Sequence, residues 1–140
     1  MPRLLGIDPG ERYTGVALSD ESASLARPLT VLEQTGEDLR ERIRDLIQEH
    51  EVGTIVVGFP EPLQTNVNER TRQVDAFIET VLEPLDQPLV RVSERYTTKQ
   101  ATRLRRERGQ SGEATDAEAA ALILQRYLDD RDDPPSGGET

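Results

Sequence analysis

The opening of the chain constrains its fold most. Leu4-Leu5-Gly6-Ile7-Asp8 is an apolar run that ends in an acid, Pro9-Gly10 follows, and Gly15-Val16-Ala17-Leu18-Ser19 resumes the apolar pattern. That order predicts two strands joined by a tight connection, with Asp8 where the first strand gives out. Gly10 suits the turn, and Gly15 lets something approach the backbone closely, so Asp8 is offered to whatever binds there. Asp-Pro-Gly is also ordinary turn chemistry. Asp8 therefore acquires a function only if other groups converge on it.

A hairpin of this kind resembles those of two large groups, the two-domain actin-like and sugar-kinase ATPases and the RNase H-like nucleases. The chain has 140 residues, room for about one domain, whereas such an ATPase closes two domains over its nucleotide.

Hydrophobic residues make up 34% and aromatic residues 4% of the chain, so the core must be aliphatic, as in α/β proteins. Without cysteine there is no disulfide and no thiolate metal site. Any metal must be held by carboxylate oxygens, with His50 the only imidazole. No stretch reads as a membrane span or a signal peptide, so a cytoplasmic protein is expected. The net charge of -10 argues against a general nucleic-acid coat, because phosphate binding rests on Lys and Arg.

Residues 25 to 32 predict a third strand that completes an antiparallel meander, with Pro28 tolerable at an edge. Leu39, Ile43, Leu46 and Ile47 recur at helical spacing over 37–51, and His50 falls near that helix's end. The apolar run 53–59 predicts a strand buried on both faces and parallel to the first. A polar loop, a helix over 69–82 and a turn bracketed by Pro84 and Pro88 precede a fifth strand at 89–93, with Glu94 at its end. Helical patterns follow from Thr97 to Leu104 and again from Thr115 or Asp116. Residues 1–128 form one domain in this reading, and 129–140 a disordered acidic tail.

Three acids stand out by position: Asp8 closing the first strand, Glu94 closing the fifth and Asp116 opening the last helix. The carboxyl ends of parallel strands in an open α/β sheet share one crevice, where all three can meet. Clustered carboxylates repel unless a cation holds them, and oxygen ligands suit Mg²⁺ or Mn²⁺. Such a set serves two-metal phosphodiester hydrolysis, with ions roughly 3.5–4 Å apart. Taken singly, Glu94 more often pairs with Arg91 or Arg95, and Asp116 more often caps a helix.

Five blocks in order resemble the YqgF (RuvX) family of RNase H-like nucleases: Gly6-Ile7-Asp8-Pro9-Gly10 with Gly15-Val16-Ala17, Ala26-Arg27-Pro28-Leu29, Ile55 through Pro60, Glu94-Arg95-Tyr96-Thr97-Thr98, and Asp116 through Leu124. The resemblance implies an RNase H-like fold, a mixed five-stranded sheet with helices on both faces. It implies that Asp8, Glu94 and Asp116 are metal-binding catalytic acids, with Arg95 and Thr97 in the active-site motif. It also implies processing of the precursor of 16S rRNA, with Holliday-junction resolution as the nearest alternative. A non-catalytic RNA- or nucleotide-binding module is the reading from another class.

The chain departs from the family in three places. Ser93 stands where Asp precedes the Glu-Arg pair, the loop after Pro60 lacks its glycine, and Glu113-Ala114 replace common basic residues. Against that loss, residues 91 to 108 carry seven bases and two acids, a local +5. Arg95, Thr97, Lys99, Arg103, Arg105, Arg106 and Arg108 are therefore the candidate nucleic-acid contacts, on a protein expected to act as monomer or homodimer.

Overall fold

The computed structural model of the chain describes residues 2–10, 12–59, 69–93 and 116–132. β1 (Arg3–Pro9), β2 (Thr14–Ser19) and β3 (Ala26–Leu32) form the expected antiparallel meander. β3 is an edge of the sheet, whose order is β3-β2-β1-β4-β5. Pro28 is tolerated on that edge, and the register slips beside it: Thr30 pairs with Val16 but Pro28 with Ala17.

α1 (Gly36–His50) crosses back over the sheet, burying Leu39, Ile43, Leu46 and Ile47. It delivers β4 (Val52–Phe59) parallel to β1, with Ile7 opposite Val57. The centre of β4 is buried throughout, as a strand covered on both faces must be. β5 (Leu89–Ser93) adds beside it, also parallel.

The expected helix over 69–82 changes character along its length. α2 (Glu69–Phe77) is α-helical, Ile78–Leu82 is a π-helical turn and Glu83–Leu85 a 3₁₀ turn. Pro84 explains the change, since it has no N–H to give the Thr80 carbonyl four residues back. The Glu83 N–H reaches five residues back to the Ile78 carbonyl instead, and Arg40 Nη1 donates to the Thr80 carbonyl at 3.0 Å.

α3 (Asp116–Asp132) runs four residues past 128, where a disordered tail was expected to begin. Gln125 Nε2 supports the extra turn by donating to Asp129 Oδ1 at 3.0 Å, one helical turn on. Residues 133–140 lie outside the described residues.

Strand alternation sorts the core onto two faces. Leu5, Ile7, Val16, Leu18, Ile55 and Val57 face α1 and α2, whereas Leu4, Ala17 and Val56 face Ile123, Leu124 and Leu128 of α3. Each fully buried Leu or Ile contributes on the order of 1.5–3 kcal/mol. Helices thus cover both faces, as expected. No helix among the described residues is long and apolar enough to cross a membrane.

Candidate active site

Asp8 is the penultimate residue of β1, half-buried, at the edge where the parallel strands end. Its partner across the hairpin is Gly15. Directly opposed residues of an antiparallel pair project from the same face, and two close approaches identify that face. A Cβ on Gly6 would lie 2.9 Å from Leu124 Cβ, and a Cβ on Gly15 would collide with the backbone carbonyl of Asp116. The face is therefore the one α3 covers. Glycine at both positions lets the helix lie directly on the sheet.

The space beside Gly15, expected to offer Asp8 to whatever binds there, is instead occupied by the first turn of α3, which carries Asp116. The far half of the helix is anchored too: Gln125 Nε2 donates to the Ser24 carbonyl at 3.0 Å, while its Oε1 accepts from the Ala26 N–H at 2.9 Å. A helix held along its length leaves its N-terminus little freedom. Asp8 and Asp116, 108 positions apart in sequence, are brought to one corner of the sheet. The positive end of the α3 dipole points into the same corner and favours negative charge there.

Glu94 and the candidate contacts Arg95, Thr97, Lys99, Arg103, Arg105, Arg106 and Arg108 lie outside the described residues. Ser93 pairs with Phe59 at the same edge of the sheet. Among the described residues no three His, Asp or Glu side chains cluster as a metal site.

Arg91 opened the basic stretch in sequence, but it is occupied on the other face. Its Nη1 lies 3.0 Å from Asp75 Oδ1 and its guanidinium sits 4.9 Å from the centre of the Phe59 ring. His50 is half-buried at the end of α1, 3.9 Å from Glu49 and at the opposite edge from Asp8. It belongs to the structure of that helix end.

A mixed sheet of this order with helices on both faces defines an RNase H-like architecture. Solved structures share the fold: RuvC of T. thermophilus in complex with Holliday junction substrate matches over 94% of this chain and 96% of its own, with TM-score 0.59 and 19% identity. The large terminase nuclease of thermophilic phage G20c matches over 90% and 81%, with TM-score 0.52 and 13% identity. The RuvX family model, described as Holliday junction resolvase, matches residues 2–130, and the chain belongs to that family of nucleases. Proteins named "Putative pre-16S rRNA nuclease" from Thermoanaerobacter pseudethanolicus and Dictyoglomus turgidum are each 37% identical to it. Those matches cover 91% of this chain and 96% and 94% of the respective relatives.

Proposed function

We propose that the chain is a cytoplasmic, divalent-cation-dependent nuclease that acts on the precursor of 16S rRNA through Asp8, Glu94 and Asp116. The observation that carries this reading is the seating of the Asp116 backbone on Gly15, directly across the hairpin from Asp8. Carboxylates gathered at one corner repel unless a cation shares them, and oxygen donors without a thiolate fit Mg²⁺ or Mn²⁺. Bound there, such an ion would supply Lewis acidity for water activation and leaving-oxygen stabilisation. Asp8 on a central strand and Asp116 on an anchored helix hold their oxygens in place before substrate arrives. Glu94 is the third ligand in this reading. Arg95, Thr97, Lys99, Arg103, Arg105, Arg106 and Arg108 guide the phosphate backbone toward it.

The precursor rRNA is favoured as substrate by the names of relatives sharing 35–37% of their residues with the chain. The description of the family model favours a second substrate, the four-way DNA junction. Two symmetric cuts need a twofold dimer, so a strictly monomeric mass with junction bound rules that substrate out. The deciding experiment incubates the protein with precursor rRNA, single-stranded DNA and a four-way junction, each with Mg²⁺, Mn²⁺ or chelator. Cleavage of the precursor that needs metal and is abolished in Asp8→Asn is expected. Wild-type turnover in Asp8→Asn overturns the metal-site assignment.

A further inference from the structure

On the opposite face of the sheet from Asp8 and Asp116, the same hairpin forms one wall of a groove of about 570 Å³. Its other walls are the start of α1, α2 and the π-helical turn. The interior is largely apolar, from Leu39, Val74, Phe77 and Val81. Thr14 lies at its base, 4% exposed, and no hydrogen bond among the described residues uses its hydroxyl. A buried hydroxyl without a partner is costly unless something in the groove meets it.

More hydrogen-bonding capacity opens onto the same space. Thr35, at the N-cap of α1, makes no side-chain cap bond among the described residues, and its hydroxyl lines the groove beside Gly36. Gln34 and Gln73 bring amides that both donate and accept. Charge decides which part of a ligand fits. Glu37 and Asp38 stand in the first turn of α1, which disfavours an anion inside, whereas exposed Arg12 lies at the outer rim.

An apolar slot with polar groups along its edges and, among the described lining residues, its one cation at the mouth matches a nucleobase inside and its phosphate outside. We infer that this groove takes an unpaired base of the substrate strand, next to the nucleotide whose phosphate lies at Asp8. The inference rests on the nuclease reading, and the topology supports the adjacency. Pro9, which lines the groove, follows Asp8 directly, so alternation along β1 sends one side chain to each face. A strand crossing the hairpin can set a phosphate on one side and the neighbouring base on the other.

The test is a binding titration by fluorescence anisotropy in chelator, which needs no cleavage. Single-stranded oligonucleotides carry one abasic site moved stepwise along the chain. One position should weaken binding by about tenfold, the scale of a single base-stacking interaction, with its neighbours unaffected. Thr14→Val, which keeps shape, and Ala76→Phe, which fills the groove from an exposed helix position, should each remove that sensitivity. Thermal stabilisation by free mononucleotides is measured in parallel. A flat abasic profile overturns the inference, including the case where mononucleotides bind saturably, since the groove then serves free nucleotide. Absence of metal-dependent cleavage with the profile intact would sink the nuclease reading and leave the base site standing.

Discussion

Replacing Gly15 with alanine probes the close approach on which the candidate site depends. The new Cβ would overlap the backbone carbonyl carbon and oxygen of Asp116, and the Ala117 nitrogen would lie 2.9 Å away. Backbone atoms cannot rotate aside as the end of a side chain can. The strand cannot yield either, because Gly15 is paired on both sides, with Asp8 and with Val31. The first turn of α3 must therefore retreat by about 1 Å, a displacement that can cost roughly 10²-fold in rate when it moves a catalytic group. Overpacking of this kind destabilises by about 1–3 kcal/mol, and Tm falls by roughly 4 °C per kcal/mol in a domain of this size.

Ala17→Gly is the matched control. Ala17 lies two residues on, on the same face and fully buried against α3, so removing its methyl costs stability without pushing the helix. Thermal melts and metal-dependent cleavage at saturating substrate should then diverge. Both variants lose stability, and only Gly15→Ala loses rate by about 10²-fold. If Gly15→Ala melts and cleaves like wild type, the seating of α3 does not set Asp116 against Asp8. If Ala17→Gly loses rate equally, stability alone explains the effect.

Asp8→Asn should abolish cleavage with the circular dichroism spectrum unchanged, because the amide keeps the volume and removes the charge of a proposed metal ligand. Replacing Arg103, Arg105, Arg106 and Arg108 with Gln should weaken binding to most sequences alike and flatten the salt dependence by about 0.7–0.9 for each phosphate no longer neutralised; an unchanged slope in titrations from low to high salt would exclude these arginines from the backbone-binding surface. Backbone N–H groups of Ser24 and Leu25 hold the Asp20 carboxyl below its ordinary value of 3.8. Its stabilising contribution is therefore present above that value and disappears as pH falls through the lowered one. Urea melts should show Asp20→Ala less stable than wild type at pH 7, with the gap closing below about pH 3.8; a gap that is constant with pH refutes the assignment.

The sheet was legible in sequence because its signals are local. The apolar run of β4 marks a strand covered twice, and the glycines, acid and proline around Asp8 mark where a strand stops. Gly15 announced a close approach without saying by what. The π-helical turn was hidden because Pro84 marks where a helix gives out without showing how the backbone before it pairs, here Glu83 N–H to the Ile78 carbonyl. Arg91 read as part of a basic stripe because its partner, Asp75, lies 16 positions away on another element. The groove around Thr14 was invisible for the same reason: segments from the hairpin, α1 and α2 line it, and a threonine in a strand looks ordinary until its surroundings are known.

The division of the proposed site between strand and helix also predicts how metal and fold would be coupled. Asp116 stands in the first turn of α3, where a negative charge gains about 0.3–1 kcal/mol from the helix dipole. Asp8 is carried by a strand paired on both sides, with β2 and with β4. Neither acid needs the ion to be held in its position, since α3 is fixed by Gly6, Gly15 and the Gln125 hydrogen bonds. Metal binding should thus relieve repulsion between preplaced carboxylates and add modest stability by mass action, without ordering the fold. Chelator should then stop cleavage while Tm drops by only a few degrees. A chelated protein that loses its helical signal would show instead that the ion builds the corner it occupies.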